Sequence, residues 1–447
     1  MRSSAQDRVL DACRAALARL PAPVKVCVAL SGGLDSMVLL DALHALDGEY
    51  ALELSALHVH HGLSSHADHW AEFCTEQCRR RNIPLRVERV HIHKQAGDSL
   101  EALARAERYR VFAIVDADVI MIAQHRDDQA ETLLLQLLRG AGLRGLAAMP
   151  RLSHAGALSL TRPLLDLPRA ALQAYARWQQ LEWIDDESNA VLDFDRNFLR
   201  HAILPQLGTR FPGYTKALAR SASHIAEAQA LLEALAEIDA AGPLAKAPLD
   251  CARLRALSPA RAANLLRVFL QTHEVSPPSS ARLTEALRQL REARHDANVR
   301  IELGAYELRR YAGHAYIIKT QPPPPPDFAA RWQGEAELDL PELGGKLVFE
   351  RVAGTGLRAD ISQLDIRVRC GEARFQPDCR RPHRSLKNLF QEARIPPWQR
   401  QRLPMLYYND ILVAIPGLGV ACEWQAQAGQ QIWRINWIGA DPKATTE

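Results

Sequence analysis

Alternating apolar and polar positions organise the first half of the chain. Val24, Val26 and Val28 alternate with less apolar neighbours in a run that stops at a glycine pair, and an apolar helical stretch covers residues 37–46. Residues 52–59, 85–92 and 119–123 repeat the short β-type pattern, and residues 99–115 and 127–138 carry helical spacing. Strands alternating with helices predict a parallel sheet covered on both faces. Right-handed crossovers then bring the loops that follow the strands to one edge of the sheet, where such folds bind ligands.

The pattern changes after Pro212-Gly213. Residues 214–238 read as a long Ala/Leu helix, and 259–273 and 280–293 as two more. Two β-type runs follow at 299–309 and 314–320, with Gly313 in the turn between them. The unbroken prolines from Pro322 to Pro326 can join neither helix nor sheet and predict a stiff polyproline spacer. Strands are expected beyond it at 346–352 and 411–415. The expected class is therefore α/β, with a doubly wound, mainly parallel sheet over residues 1–212. A mainly helical domain over 213–326 and a small mixed α+β domain over 327–447 complete the chain.

Composition narrows the class. The 447 residues are 47% hydrophobic and 24% charged, which excludes wholesale disorder. No apolar run approaches the ~20 residues that cross a bilayer, and the greasiest late stretch, 411–421, is broken by Pro416, Gly417 and Gly419. Asp7 and Asp11 fall where the core of a signal peptide would lie, so none is expected. Eight cysteines are too sparse for a disulfide scaffold, and Cys74 and Cys78 do not form a CxxC pair. These features predict a cytoplasmic protein with reduced thiols and no membrane partner. A net charge of +3 is only mildly basic, so any polyanion partner must be argued from local clusters.

Ser31-Gly32-Gly33-Leu34-Asp35-Ser36 ends the first strand and opens the first helix. Its glycines let the backbone turn tightly and bring N–H groups close to an anion. The helix N-terminus behind them favours phosphate oxygens, and the Ser31 and Ser36 hydroxyls can donate to phosphate. Asp35 can hold Mg²⁺ directly or through water. No GxxxxGK[ST] occurs, so this is not a Walker A loop. A capped helix start is the plain structural alternative.

Asp127 and Glu131 lie four residues apart on one helix face, with Asp128 beside them. Such acids hold Mg²⁺ or an ammonium group, or are simply favoured by the macrodipole at a helix start. Arg105 and Arg108 share a helix side with Glu101 one turn earlier. They can neutralise phosphate or form a solvated salt-bridge row with Glu101 and Glu107. His58, His60 and His61 lack the cysteine pair or HExxH of a zinc site. His60 and His61 read as a nucleotide wall, or equally as core or edge-strand histidines.

The hexapeptide resembles the pyrophosphate-binding loop of the N-type ATP pyrophosphatases, whose fold is adenine-nucleotide alpha-hydrolase-like. Further motifs narrow this resemblance. His58-Val59-His60-His61-Gly62-Leu63, Glu101-Ala102-Leu103-Ala104-Arg105 with Arg108-Tyr109, and Gln124-His125-Arg126-Asp127-Asp128-Gln129-Ala130-Glu131-Thr132 stand in order along the first half. With Asp186-Glu187-Ser188-Asn189 and Arg196-Asn197-Phe198-Leu199-Arg200 they resemble the tRNA(Ile)-lysidine synthetase family. Leu389-Phe390-Gln391-Glu392-Ala393-Arg394-Ile395-Pro396-Pro397-Trp398 is similar to that family's terminal domain. The resemblance is weakest over residues 240–345.

It implies a ligase that adenylates the 2-carbonyl oxygen of the wobble cytidine in the CAU-anticodon isoleucine tRNA. The ε-amine of free lysine then displaces AMP, and codon reading changes from AUG to AUA. ATP and Mg²⁺ are the implied co-substrate and ion, tRNA and lysine the partners, and a homodimer is left open. ATP would be bound by Ser31, Gly32, Gly33, Leu34, Asp35, Ser36 and His60, with Asp35 also toward Mg²⁺. Asp35, Arg105, Asp127, Asp128 and Glu131 are the expected catalytic set, with Asp127 and Glu131 toward lysine. Gln124, where the family often has histidine, is assigned no role. A tRNA thiolase with the same loop would need a CxxC pair, an amidating relative a glutaminase domain, and a scaffold protein no intact loop.

From Arg367 to Arg402 the chain carries ten basic residues against only Glu372, Asp378 and Glu392, with Phe390, Trp398, Tyr407 and Tyr408 interleaved. Phosphate contact and base stacking are both available there, unless the segment is a solvated face with core aromatics. Arg380, Arg381, Arg384, Lys387 and Arg394 are the tRNA candidates in this stretch, and Arg196 and Arg200 a second set near the catalytic edge.

Overall fold

The computed structural model describes residues 5–20, 24–92, 100–156, 158–187, 191–244, 247–276, 278–294, 297, 299–369, 374–427 and 429–439. Its contacts divide into two units, Met1–Leu231 and Leu232–Glu447.

In the first unit, α1 (Ala5–Leu17), β1 (Val24–Ala29), α2 (Leu34–Tyr50), β2 (Leu52–His60), α3 (Ala67–Arg80), β3 (Leu85–Arg89), α4 (Leu100–Phe112), β4 (Val119–Met121) and α5 (Arg126–Leu138) alternate as the pattern predicts. The short α6 (Leu143–Leu146), an edge hairpin of β5 (Leu152–Ala155) and β6 (Leu158–Thr161), and α7 (Arg169–Trp178) follow. The sheet runs β3-β2-β1-β4-β6-β5, parallel throughout except for the β5–β6 hairpin. The mainly parallel class is therefore observed.

The period-2 geometry of β1 explains why its flanks are both apolar. Val24, Val26 and Val28 face a core built with α1, α2 and α7. Cys27 faces the opposite core, with Val111 and Phe112 of α4, Ile120 and Leu160. Phe112 is 1% exposed, so truncating it to alanine should cost about 3–5 kcal/mol. β3 and β4 end earlier than their apolar runs, at Arg89 and Met121, and the residues after Met121 leave the sheet to lead into α5. The chain continues through α8 (Asp195–Phe198), a π-helical turn at Leu199–Ile203, and α9 (Leu204–Arg210). The unit boundary falls inside α10 (Tyr214–Ala240).

In the second unit β7 (Leu249–Asp250), α11 (Cys251–Ala256), α12 (Pro259–Thr272) and α13 (Ser280–Glu292) precede β8 (Arg300–Leu303), β9 (Tyr306–Tyr311) and β10 (His314–Lys319). The β-type run 299–309 is thus two strands: Gly304, at φ +70, and Ala305 turn the chain between them. The remainder is richer in strand than expected, with β11 (Ala329–Trp332) to β21 (Gln431–Gly439) and, among the described residues, two short α-helices, α14 (Leu386–Glu392) and α15 (Pro397–Arg400), and a 3-10 turn at Cys422–Trp424.

Two expectations need correction here. Cys379 and Cys422 are joined by a disulfide, with Cα atoms 5.3 Å apart, so reduced thiols do not describe this pair. Phe390 is fully buried in an apolar cluster and offers no ring for stacking. Among the described residues no helix is long and apolar enough to cross a membrane.

Candidate active site

The loop between β1 and α2 folds as a closed hydroxyl network. Ser36 Oγ donates to the Gly33 carbonyl at 2.9 Å and lies 3.1 Å from Ser31 Oγ, which accepts from Gly33 N–H. Gly32 adopts φ +85, and a Cβ there would stand 2.9 Å from Ile184 Cδ1 and 3.1 Å from Cys74 Sγ. Both the backbone conformation and the space exclude a side chain at that position. A cavity of about 580 Å³ opens above the loop. Ser31, Gly33, Asp35 and Ser36 line it from one side, Arg105, Arg108 and Tyr109 from α4, and Asp128 from α5. Gly32 and Leu34 shape the turn rather than line the cavity.

The acids sit beside that loop because α5 starts with a reciprocal cap. His125 Nδ1 accepts from Asp128 N–H at 3.4 Å, and Asp128 Oδ2 accepts from His125 N–H at 3.0 Å. The ring's other nitrogen, Nε2, then points at Asp35 Oδ2, 3.5 Å away. Burial disfavours charge on His125, but the Asp35, Asp128 and Asp127 carboxylates outweigh it and raise the imidazole pKa. His125 thus links the phosphate loop to the acidic helix. Its place immediately before the acid pair was the signal that could have assigned it.

Glu131 is 1% exposed and takes Arg196 Nε at 2.8 Å and Arg200 Nε at 2.6 Å. Arg200 Nη2 also donates to Asp128 Oδ1 at 3.0 Å. Burial weighs against the Arg200 charge, and Glu131 and Asp128 more than restore it, raising its pKa. The two arginines placed on the tRNA side by sequence therefore lie inside the site, on its carboxylates. Asp127 stands apart: its Oδ2 accepts from Arg169 N–H at 2.9 Å, and it is one of the two carboxylates, with Glu131, that raise the pKa of Tyr214 after burial.

The histidines separate by environment. His58 Nδ1 donates to the Leu30 carbonyl at 2.9 Å, and burial lowers its pKa despite that bond. His60 is 7% exposed and lies 3.3 Å from Asp68. Burial first, then the Arg108 charge, push His61 down to about 4. All three line the cavity, and among the described residues no group of three metal-type ligands occurs.

Arg162 had no sequence signal. It is 2% exposed, and its partners are all neutral: Gln124 Oε1 at 2.5 Å, the Pro150 carbonyl and Ser153 Oγ at 2.9 Å, and Tyr109 Oη at 3.3 Å. Tyr109 in turn accepts from Arg105 Nη2 at 3.0 Å. Gln124, given no role by sequence, is thus braced by a buried cation beside the cavity. The Glu101 side chain, Ser188 and Asn189 lie outside the described residues.

In the second unit, Arg380, Lys387 and Arg394 are exposed and have no ion-pair partner among the described residues, whereas Arg381 and Arg384 both reach Glu392. Trp398 packs edge-on against Tyr316 at 5.4 Å and Tyr311 at 6.1 Å.

The family model described as a PP-loop domain matches residues 6–207, the TilS substrate binding domain 249–316, and the TilS substrate C-terminal domain 364–437. A tRNA(Ile)-lysidine synthase of Nitrosomonas europaea is 45% identical, with 92% of each chain covered. One from Coxiella burnetii is 38% identical over the same shares. Among solved structures, a U34-tRNA thiolase of Methanococcus maripaludis with its [4Fe-4S] cluster is similar at TM-score 0.43 and 19% identity, covering 49% of this chain and 78% of that one.

Proposed function

The chain belongs to the tRNA(Ile)-lysidine synthase family, and from that premise we propose that it joins free lysine to C2 of the wobble cytidine of the CAU-anticodon isoleucine tRNA at the expense of ATP. The observation that carries the reading is a single cavity lined by the phosphate loop and by Asp128 of the acidic helix, with Asp127 and Glu131 behind that lining. Catalysis is assigned to residues 1–212, substrate binding to 213–326, and tRNA contact to the basic segment of 327–447, in the cytoplasm.

In the first half-reaction the cytosine 2-carbonyl oxygen attacks the α-phosphorus of ATP and pyrophosphate leaves. The Ser31 and Ser36 hydroxyls, with the α2 N-terminus behind them, stabilise the charge that builds on the departing phosphates. Arg105 adds a cation from α4. Asp35 leaves Oδ1 buried with no hydrogen-bond partner among the described residues, a carboxylate oxygen suited to Mg²⁺ together with phosphate oxygens and water. Bound there, the ion would neutralise polyphosphate charge.

In the second half-reaction the lysine ε-amine attacks C2, the C2–O bond breaks, and AMP departs. The amine must be neutral to attack, although its ordinary pKa is about 10.4. Glu131 is engaged by two guanidiniums, so Asp127 is the acid that orients the amine and accepts its proton. Glu131 and Asp128, with Arg196 and Arg200, fix the helix face on which Asp127 stands. His60 forms part of the wall against the nucleotide.

The test is mass spectrometry of the CAU-anticodon tRNA after incubation with ATP and lysine. The expected product carries lysine, less one water, at the wobble cytidine. An unmodified cytidine with folded, ATP-binding enzyme would overturn the reading.

A further inference from the structure

A second cavity, of about 590 Å³, lies wholly within the second unit, in the size range of roughly 300–1,000 Å³ that small-molecule sites occupy. Seven of its lining positions from Ile318 to Gly344, Lys319 among them, fall outside both substrate-domain matches, and the site described above makes no use of it.

Its chemistry is unusual for a gap between strands. Arg300, Arg309, Lys319 and Arg402 contribute four cations, and Glu307 the one carboxylate. Glu307 is already committed, with Arg300 Nη2 at 2.6 Å and Arg309 Nε at 2.7 Å. Arg402 is half-buried and, among the described residues, donates only to carbonyl oxygens, those of Pro322 and of Glu342. Lys319 has no ion-pair partner among the described residues. The cavity therefore holds two cations whose charge no carboxylate answers, a state that favours an anionic guest.

The apolar part of the wall combines two indoles with aliphatic side chains such as Ile318, Leu343 and Leu403. Trp398 and Trp437 both line the cavity, and Pro323 and Pro324 close one side. Gly344, at φ +77, keeps the floor open beside Arg402: a Cβ there would stand 3.1 Å from Gln321 Oε1 and 3.7 Å from Arg402 Nη1. Indole surface beside uncompensated cations suits a ligand with a planar ring and a phosphate, since aromatic rings take bases and cations take phosphate oxygens.

We propose that this cavity binds one nucleotide unit, its phosphate on Lys319 and Arg402 and its base against Trp398 and Trp437. The unit comes either from a free nucleoside monophosphate or from the unpaired end of an RNA strand. The site is separate from the cavity over the phosphate loop, and its occupancy does not depend on lysidine formation.

Photolabelling of the full-length protein with 8-azidoadenosine 5′-monophosphate, followed by peptide mapping, locates the site. The expected label lies on peptides containing residues 318–324, 398–402 or 435–439. Excess AMP should suppress it, while adenosine and inorganic phosphate, each carrying half of the ligand, should not. Lys319→Glu, at an exposed position, should weaken labelling about tenfold, as loss of a charge-assisted contact does. Trp437→Phe should weaken it less, and Arg402→Lys should retain it. Competition by AMP alone assigns the free nucleotide, and competition by an oligonucleotide with an unpaired 3′ end but not by its blunt duplex assigns RNA. Label confined to the cavity lined by Ser31 and Asp35, or unaffected by Lys319→Glu, would overturn the proposal.

Discussion

Arg200 grips Glu131 with two bonds, Nε to Oε1 at 2.6 Å and Nη2 to Oε2 at 2.9 Å, although 69 residues separate them. Arg196 adds a third, Nε to Oε2 at 2.8 Å. A carboxylate that is 1% exposed would be expensive to bury alone, and the two guanidiniums remove that cost. The acids of the site therefore divide into a fixed pair, Glu131 and Asp128, and a less encumbered pair, Asp35 and Asp127.

That division predicts different outcomes for stability. Arg200→Met should destabilise the protein by about 2–3 kcal/mol, somewhat below the 3–5 typical of breaking a buried pair, because Arg196 still serves Glu131. Asp127→Asn should change stability by less than about 0.5 kcal/mol, as at an unremarkable partly exposed position. Urea unfolding of both variants checks the contrast, and equal losses would contradict it.

The same division predicts different kinetics. Pyrophosphate exchange should require tRNA and not lysine, and Asp35→Ala should slow it about 10²–10³-fold by removing charge stabilisation around the leaving phosphates. Asp127→Asn should leave exchange largely intact and slow the lysine-dependent step. Exchange supported by lysine without tRNA would mean that the amino acid is activated instead.

Much of this arrangement was legible in the sequence, and the reasons are local. Glycines at 32 and 33 after a strand announce the phosphate loop, and the spacing of Asp127 and Glu131 announces one helix face. What was not legible depends on contacts distant in sequence. Nothing near Glu131 indicates that Arg196 and Arg200 will close on it, and Arg162 looks like any surface arginine until its four neutral partners surround it. The hairpin at Gly304 was hidden because both its strands mix apolar with charged residues in the same β-type pattern, so one turn residue had to outweigh a continuous run. The Cys379–Cys422 bond joins positions 43 apart, which no spacing rule connects.

Arg162 yields a prediction of its own. Arg162→Lys keeps the charge but cannot reach Gln124, Pro150, Ser153 and Tyr109 together, because an ammonium lacks the planar fork. Tyr109 and through it Arg105 should lose their fixed positions, raising the KM for ATP more than kcat falls. Initial-rate kinetics at varied ATP would show this, and an unchanged KM would make Arg162 a residue of the fold only.

A pH dependence follows from His61, which burial and Arg108 hold down to about 4. Unfolded, this imidazole takes up a proton near pH 6.5, so between that value and about 4 the unfolded chain binds more protons than the native one. Stability must therefore fall as pH falls through this window, by up to about 1.4 kcal/mol per pH unit for one group. Above pH 6.5 the residue contributes no slope. Denaturant unfolding at pH 7.5, 6 and 5 should show wild type losing more stability in acid than His61→Asn. The difference between the two isolates His61 from His58, whose pKa is lowered in the same direction.

The basic segment can be tested residue by residue, because its cations are not equivalent. Arg381 and Arg384 already face Glu392, so a phosphate must displace that carboxylate before it gains either charge. Arg380, Lys387 and Arg394 are exposed and have no ion pair among the described residues, so they can meet phosphate at no such cost. Pro322 to Pro326 lie within the second unit, and Trp398 packs on Tyr311 and Tyr316 ahead of those prolines. Cutting the chain there would strip a packed surface, so charge reversal in the full-length protein is the cleaner measurement. Arg380→Glu, Lys387→Glu and Arg394→Glu together should shallow the log–log salt dependence of tRNA binding by about 2–2.7, at 0.7–0.9 per lost contact. Arg381→Glu with Arg384→Glu should change it by less per residue. Equal slopes for wild type and the triple variant would mean that this face is only solvated, and that tRNA is held elsewhere in the chain.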